Sequence, residues 1–265
     1  MESFDPRGGS NRYKFRTNFF KNWSNEMAYV LGFLYADGNI TDAASSSRTQ
    51  YIKFSNSEKK ILEKIRAVLK AEHPIRVRPP RKTLHVGGKT YISLEQFFLR
   101  IGSRRMFTDL KKLGLVPNKS KVMKFPLVPS KYLSHFIRGY FDGDGTIYIE
   151  EKKGVEQNMI LKRARIIFSS GSKAFLSDFA DILAKTLDVR RAKLYDGNRC
   201  FQIVYSIKES VEIFKFIYNK AYGLFMKRKF DTFKRFFNIK IKWLDSGVVK
   251  ILNENKNHLA WYPRS

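Results

Sequence analysis

Two aspartates in this chain of 265 residues each end an apolar segment, and the two segments are nearly alike. Residues 30–38 read VLGFLYADG and residues 137–145 read IRGYFDGDG, so both finish in Asp-Gly. The aspartates are Asp37 and Asp144, which lie 107 positions apart. Clustered carboxylates, together with backbone carbonyls and water, suit Mg²⁺. A fold that brings this pair together would therefore create a divalent-cation site from two half-sites.

The spacing of small residues in the two segments predicts how the aspartates meet. In a helix, positions four apart share a face, and small side chains there allow two helix backbones to approach closely. The small residues with this spacing are Gly32 and Ala36 in the first segment and Gly139 and Gly143 in the second. We therefore expect the two helices to pack about a pseudo-two-fold axis, with Asp37 and Asp144 side by side at one end.

Two neighbouring carboxylates at this position are electrostatically unfavourable on their own. Each lies at the negative end of its helix dipole, and each repels the other. A bound cation would compensate both effects. Gly38 and Gly145, which follow the aspartates, fit a helix stop in the left-handed conformation. A single Asp-Gly would indicate only a helix terminus, whereas two copies with matched spacing favour a catalytic pair.

The composition makes a polyanion the expected partner. Lys and Arg number 51 against 24 Asp and Glu, which gives a formal net charge of +27. The basic residues are spread along the chain, and no apolar run reaches the length of a transmembrane helix, so a membrane partner is not expected. Cys200 is the single cysteine, which excludes a disulfide framework and a Cys-type zinc site. Without a signal-peptide pattern, we expect an intracellular protein of the cytoplasm, nucleoid or an organelle matrix, not a secreted one.

The similarity of the two halves extends beyond the Asp-Gly segments. Apolar residues at helical spacing occupy residues 61–69 and 106–110 in the first half, and 175–183 and 213–217 in the second. Strand-like segments lie at 51–55 and 75–78, and again at 165–169 and 192–195. Ser57 and Ser172 occupy expected helix N-cap positions. Each half is therefore predicted as helix–strand–strand–helix–strand–strand–helix, an α+β fold with antiparallel sheets.

Composition along the chain predicts five segments. These are a basic N-terminal arm (1–22), an N-terminal half-domain (23–116), a Pro- and Lys-containing linker (117–131), a C-terminal half-domain (132–237) and a tail (238–265). The arm is either a flexible element that contacts a nucleic acid or an ordinary chain terminus. The tail is expected to pack against the core.

Both Asp-Gly segments resemble the LAGLIDADG motif of homing endonucleases, in the monomeric type that carries two motifs. The second segment matches the motif at Gly139, Asp142, Asp144 and Gly145, and the first matches at Gly32, Ala36, Asp37 and Gly38. Tyr35 stands where the motif word has its first Asp, a position that varies in the family. The resemblance covers about residues 24–237 and implies two half-domains packed through the motif helices.

The resemblance implies a metal-dependent nuclease that hydrolyses one phosphodiester on each strand of DNA. In this family the last aspartate of each motif binds the catalytic metals, which maps to Asp37 and Asp144. The carbonyls of Ala36 and Gly143 commonly help. The expected cofactor is Mg²⁺, with Mn²⁺ or Ca²⁺ as possible substitutes. The expected substrate is a non-palindromic double-stranded target of about 20 base pairs, covered by one monomer.

The family also places a basic residue from a later loop near each scissile phosphate. Lys119 follows Asp37 by 82 positions and Lys227 follows Asp144 by 83, so these two are the favoured counterparts. Lys121 and Lys229 are the alternatives. Lysines are abundant here, and solvated surface charge is the competing interpretation.

A sheet that saddles DNA should present polar or basic side chains at every second strand position. The candidates for DNA contact are Arg48, Gln50, Arg76, Arg78, Thr83, His85, Arg163, Arg165, Arg191, Lys193, Arg199 and Gln202. For any one of them, a solvated strand face explains the pattern equally well. Flanking lysines would contact phosphates without sequence preference.

Three other functions fit parts of the pattern. An intron maturase would bind RNA on the same fold, and both aspartates argue for retained cleavage without excluding help in splicing. A non-cleaving DNA-binding regulator would be expected to lose the acidic pair. A nuclease embedded in an intein would need splicing blocks, which the sequence does not show, so a free-standing enzyme is expected.

Overall fold

One arrangement of helices and strands occurs twice in the chain, as the sequence repeat predicts. The computed structural model describes residues 13–43, 49–84, 90–153, 159–197 and 200–256. The first half contains α1 (Asn25–Asp37), β1 (Gly38–Ala43), β2 (Thr49–Asn56), α2 (Lys59–Val68), β3 (Arg76–Arg78), β4 (Lys82–Leu84), β5 (Thr90–Ile92), β6 (Gln96–Gly102) and α3 (Arg104–Lys112). The second half contains α4 (Ser130–Asp144), β7 (Gly145–Lys153), β8 (Met159–Ser170), α5 (Lys173–Leu187), β9 (Leu194–Asp196), β10 (Phe201–Tyr205) and α6 (Ile207–Tyr218). Helices α7 (Lys227–Ile239) and α8 (Ser246–Lys256) follow.

Each half contains one antiparallel four-stranded sheet, and the two sheets have the same topology. The strand orders are β1-β2-β6-β3 and β7-β8-β10-β9. The register is also the same, because Gly38 pairs with Phe54 and Gly145 pairs with Phe168. The first half has one addition, the separate hairpin β4–β5, inserted between β3 and β6. The predicted α+β class with antiparallel sheets is confirmed.

Alternation along the strands sends one face of each sheet into the core. Ile52 and Phe54 of β2 are fully buried, and so are Ile166 and Phe168 of β8. Helix α2 covers this face in the first half by packing on β2 and β6, and α5 does the same on β8 and β10. The opposite face of each sheet has no helix of the described residues packed on it in this way, which leaves it open to a partner.

The two ends of the described chain are attached to the core. Phe15, Phe19 and Phe20 are buried, and Arg16 N donates to the carbonyl of Leu69 at 2.9 Å. Residues 13–22 of the predicted arm are therefore packed segments, and residues 1–12 lie outside the described part. In the predicted tail, α8 buries its apolar side and contacts α6. The boundary predicted at residue 237 falls within α7.

The paired helices α1 and α4 are in backbone contact at their glycines. A Cβ atom on Gly32 would lie 2.0 Å from the carbonyl oxygen of Phe136, and one on Gly139 would lie 2.0 Å from the carbonyl oxygen of Tyr29. The two contacts are reciprocal, since residues 29 and 136 occupy equivalent positions of the repeat. At the far end, a Cβ on Gly143 would lie 2.3 Å from the Cβ of Ala36. This reciprocity is the signature of a two-fold interface.

The expected left-handed stops at Gly38 and Gly145 are wrong. Both residues have extended backbones, with φ of −99° and −86°, because each helix passes directly into the first strand of its half. Glycine is required at both positions because a side chain there would overlap the preceding turn of the helix. A Cβ would lie 2.6 Å from the Cα of Leu34 at Gly38, and 2.6 Å from the carbonyl oxygen of Phe141 at Gly145.

The described part of the chain contains no helix of sufficient length and apolarity to cross a membrane.

Replacing Gly139 by alanine should destabilise the protein by about 3 kcal/mol or more, because the added methyl group meets a backbone carbonyl that only helix separation can move away. Urea unfolding followed by circular dichroism measures this change. Ser134→Ala on the same helix, at a half-buried position, is the matched control and should change stability by less than about 1 kcal/mol. Equal stability of Gly139→Ala and wild type would contradict the close packing.

Candidate active site

The carboxylates of Asp37 and Asp144 lie where α1 and α4 end side by side. The helix ends are close enough that a Cβ on Gly143 would stand 3.2 Å from the backbone nitrogen of Asp37. Asn56, at the end of β2, donates its side-chain amide to Asp37 Oδ2 at 2.7 Å. No donor among the described residues forms a hydrogen bond to the Asp144 carboxylate. The structure therefore brings the predicted pair together and leaves one of the two carboxylates open.

Burial and mutual repulsion disfavour the charged forms of both carboxylates. Burial raises the pKa of Asp37, while the Asn56 amide and then the charges of Lys229 and Lys119 act in the opposite direction. Burial and then the charge of Asp37 raise the pKa of Asp144 to about 6. This is the electrostatic conflict that the sequence predicts for two acids at helix C-termini.

Two buried lysines, Lys119 and Lys229, contact the ends of the motif helices. Lys119 donates its Nζ to the carbonyl oxygens of Tyr35 at 2.7 Å and Ala36 at 2.9 Å. Lys229 donates its Nζ to three carbonyl oxygens, those of Phe141 at 2.6 Å, Asp142 at 2.7 Å and Gly145 at 2.6 Å. Only 7% and 5% of the two lysines is exposed, so both charges act in a poorly solvated region.

The lysines and the aspartates favour each other's charged forms. Burial lowers the pKa of Lys229 to about 8, although the charges of Asp142, Asp37 and Asp144 act to raise it. Burial likewise lowers the pKa of Lys119, against the charges of Asp144 and Asp37. Each lysine thus compensates both a helix C-terminus and the acidic pair.

The structure places Lys229, and not Lys227, in the position equivalent to that of Lys119. Lys227 is exposed and pairs with Asp231, one turn further along α7, and Lys121 is exposed. Sequence reasoning favoured Lys227 because it assumed that the chain between the aspartate and the lysine has nearly the same length in both halves. The apolar stripe of α7 would have identified the right residue, since Lys229 lies between Met226 and Phe233 on the buried side of that helix.

Two residues at equivalent motif positions hold the segments that carry these lysines. Tyr35 donates its hydroxyl to the carbonyl of Leu113 at 2.8 Å, before the segment that leads to Lys119. Asp142 Oδ2 accepts hydrogen bonds from the backbone nitrogen of Met226 at 2.8 Å and from the Tyr29 hydroxyl at 2.7 Å. Sequence reasoning assigned Asp142 to the motif but gave it no role.

A third buried cation, Arg138, supports the region behind Asp142. Its guanidinium donates to the carbonyl oxygens of Leu224 at 3.0 Å and Ile217 at 2.8 Å, and it contacts His135 Nδ1 at 2.9 Å. Burial, followed by the Arg138 charge, lowers the pKa of His135 to about 3, so this histidine is neutral. His135 therefore completes a structural network.

The open face of the first sheet is basic and aromatic. Arg76 pairs with Phe98 across strands β3 and β6, and Arg78 pairs with Gln96. Lys53 lies opposite Arg100 on the same face, although neither residue was among the candidates. Arg100 stacks over the Tyr51 ring at 3.6 Å. The alternation around buried Ile52 and Phe54 is the signal that would have identified Lys53.

The open face of the second sheet carries three of the predicted residues. Arg165 lies opposite Tyr148, and Arg163 lies opposite Glu150, with the two charges 3.8 Å apart. Gln202 pairs with Tyr195. The exposed Lys193 precedes β9.

The structure places two of the predicted DNA-contact residues, Gln50 and Arg191, away from the open faces of the sheets. Gln50 is only 7% exposed, because it shares the core-facing side of β2 with Ile52, and it donates to Asp42 Oδ1 at 3.2 Å. Arg191 is ion-paired with Asp181 of α5, on the helix side of the sheet, and lies before β9 begins. The backbone of Thr83 pairs with that of Tyr91 in the β4–β5 hairpin. Arg48, His85 and Arg199 lie outside the described residues.

Comparison with known proteins identifies the fold. Residues 131–216 match the family model described as a LAGLIDADG-like domain. I-WcaI bound to its DNA recognition sequence superposes with a TM-score of 0.53, at 14% identity, over 80% of this chain and 88% of that chain. The LAGLIDADG homing endonuclease I-LtrWI, bound to target DNA, gives 0.53 at 13% identity, over 91% and 98%. The LAGLIDADG meganuclease I-CpaMI, bound to uncleaved DNA, gives 0.51 at 13% identity, over 92% and 100%. The fold is that of LAGLIDADG homing endonucleases.

One further similarity is to a protein that is not named as an endonuclease. A stretch of 121 residues is 29% identical to the probable translation initiation factor IF-2 of Thermococcus kodakarensis. The match covers 44% of this chain and 9% of that protein, so the matched stretch is a small part of that protein.

Replacing Asp144 by asparagine should stabilise the metal-free protein at neutral pH. A carboxyl whose pKa rises on folding makes the folded state lose stability as pH increases, here between about pH 4 and pH 6. Asparagine removes this penalty, and we expect a gain of about 1–3 kcal/mol at pH 7.5 that vanishes below about pH 4. Urea unfolding in chelator across this pH range measures the change. Asp178→Asn, an exposed control on α5, should leave stability unchanged, and a pH-independent effect of Asp144→Asn would contradict the analysis.

Proposed function

We propose that this chain is a site-specific endonuclease that makes a double-strand break in DNA by hydrolysing one phosphodiester on each strand. The observation that carries the proposal is the symmetric pair of half-buried acids, Asp37 and Asp144, each beside a buried lysine that contacts the end of its helix. The same fold in I-WcaI and I-LtrWI, which are bound to DNA, supports the choice of substrate.

The acidic pair fits a divalent cation. Burial disfavours the charged form of both carboxyl groups, and the Asp144 carboxylate has no hydrogen-bond donor among the described residues. The described residues contain no group of three or more His, Cys, Asp and Glu side chains suited to a metal. A pair of carboxylates such as Asp37 and Asp144 suits Mg²⁺, which binds through one or two carboxylates and completes its shell with water and substrate phosphates. Mn²⁺ or Ca²⁺ would be the substitutes.

Asp37 and Asp144 would hold the ion, with the carbonyls of Ala36 and Gly143 beside them. The Ala36 carbonyl already accepts a hydrogen bond from Lys119 and has a second lone pair. When bound, a divalent ion polarises a phosphate oxygen, activates water and stabilises the leaving oxygen. Asn56 fixes the orientation of Asp37 through its 2.7 Å hydrogen bond, so the carboxylate is preorganised before the substrate arrives.

Lys119 and Lys229 contribute positive charge at the centre of the site. Since both lysines are buried and held by carbonyl oxygens, their charge does not move when DNA binds. Charge fixed in this way stabilises the additional negative charge that develops on a phosphate during hydrolysis. The arrangement needs no nucleophilic side chain.

The open faces of the two sheets supply the surface for a duplex. The side chains of Arg76, Arg78 and Arg165 would hydrogen-bond guanine in the major groove, and that of Gln202 would hydrogen-bond adenine. The two faces carry different residues at equivalent positions, so the two half-sites of the target need not match. Two half-domains that each cover about one helical turn give a target of about 20 base pairs.

Cleavage of a randomised double-stranded DNA library with Mg²⁺ tests the proposed function. The wild type should enrich one long site with staggered ends, whereas Asp37→Asn and Asp144→Asn should abolish cutting and retain binding. The exposed control Asp178→Asn should cut like the wild type. Specific binding without cutting by the wild type would reject the nuclease and favour a regulator, and selective retention of an RNA would favour a maturase.

Two lysines in the first turn of α7, Lys227 and Lys229, allow a test that separates a catalytic role from surface charge. On the enriched site, Lys229→Met should slow cleavage by about 100-fold or more, because the substitution removes the buried charge beside both acids. Lys227→Met, two positions away and exposed, is the matched control and should stay within about threefold of wild type. Binding without metal verifies that each variant is folded. Equal losses in both variants would reject Lys229 as the counterpart of Lys119.

A further inference from the structure

We propose that each half-domain positions the active-site lysine of the opposite half, through Lys64 in the N-terminal half and Ser172 in the C-terminal half. Lys64 fixes the segment that leads to Lys229, and Ser172 fixes the segment that follows Lys119. The inference rests on the proposed function, since it assigns these two residues a positioning role in the same reaction.

Lys64 crosses from α2 to the segment between α6 and α7. Its Nζ donates to the carbonyl oxygens of Gly223 at 2.6 Å and Phe225 at 2.9 Å, and lies 5.1 Å from the centre of the Phe225 ring. Phe225 lies four positions before Lys229. Two hydrogen bonds from one ammonium group therefore determine the path of the backbone immediately before the lysine.

A second contact between the halves at this place is much weaker. Arg228 is ion-paired with Glu58 at 2.6 Å, but the Arg228 side chain is 66% exposed. Exposed ion pairs contribute little because water competes for both charges. Lys64, which is half-buried and charged, is therefore the determinant of the crossing.

Ser172 makes the corresponding contact in the other direction. Its hydroxyl donates to the carbonyl of Met123 at 2.6 Å, four positions after Lys119. The neighbouring Gly171 lies against the same segment, because a Cβ there would be 2.5 Å from the carbonyl oxygen of Ser120. Ser172 is the N-cap of α5. Lys64 lies on α2, which occupies the place in the first half that α5 occupies in the second. The crossing is thus symmetric in the fold although the residues differ.

Each lysine segment is held at two points that belong to different halves. Tyr35 and Asp142 attach the segments to their own motif helices, and Lys64 and Ser172 attach them to the opposite half. A lysine side chain has many rotamers, so the position of its ammonium group depends on a fixed backbone. Misplacement of a catalytic group by about 1 Å costs up to about 100-fold in rate.

The test is the cleavage rate of each strand separately, on the enriched duplex with one or the other 5′ end labelled. Lys64→Met should slow one strand by about tenfold or more relative to the other, and that strand should be the one that Lys229→Met slows most. Ser172→Ala should slow the other strand. Lys64→Arg, which restores donors to both carbonyls, should recover the symmetric rates.

Matched controls separate positioning from general destabilisation. Lys60→Met removes an exposed lysine from the same helix as Lys64. Ser103→Ala removes an equally buried helix cap, whose hydroxyl accepts from Met106 N, without a contact to the other half. Both controls should leave the two strand rates equal. Gly171→Ala, which keeps the Ser172 hydroxyl, should reproduce the asymmetry of Ser172→Ala.

Two results distinguish the possible failures. If the wild type cuts both strands and Lys64→Met and Ser172→Ala slow both strands equally, the crossed positioning is rejected and the nuclease stands. If the wild type cuts no DNA in the library, the proposed function is rejected and the positioning role is rejected with it.

Discussion

The contact between the backbones of α1 and α4 is the constraint on which the rest of the molecule depends. Gly32 and Gly139 each face a carbonyl oxygen of the other helix, where no side chain fits. The contact aligns the two helix ends and hence two carboxylates and two negative dipole ends. The same glycines that hold the halves together thus create the charge conflict that the remaining site residues must compensate.

The protein compensates the repulsion between Asp37 and Asp144 only in part, because the two lysines do not contact the carboxylates directly. Lys119 and Lys229 donate to helix-end carbonyl oxygens, and no described donor forms a hydrogen bond to the Asp144 carboxylate. The lysines therefore reduce the repulsion through space and leave carboxylate oxygens free. A site compensated by direct ion pairs would be more stable without a ligand, but its acids would be occupied. Incomplete compensation is what makes the pair suitable for a cation and a phosphate.

The repeat explains what was predictable from sequence. The aspartates and the small residues act through local spacing along one helix, so their places follow directly from the sequence pattern. Gln50 shows the limit, because a register error of one residue exchanges the two faces of a strand. Lys53 was missed for the same reason, whereas Arg100 lies on β6, a strand that the sequence pattern did not indicate. Lys229 depends on where α7 begins, and Lys64 depends on contacts between halves, which no local pattern contains.

The two halves preserve a geometry and not a set of residue types. At equivalent motif positions, the Tyr35 hydroxyl donates to a carbonyl and the Asp142 carboxylate accepts from a backbone N–H. The polarity is reversed because the two segments present opposite backbone groups. The second solution buries a carboxyl group, and burial raises its pKa, whereas the charge of Lys229, the Tyr29 hydroxyl and the charge of Arg138 favour its ionised form. A motif position that varies between Tyr and Asp is therefore determined by the segment it holds, which explains why the first half departs from the motif without losing its lysine.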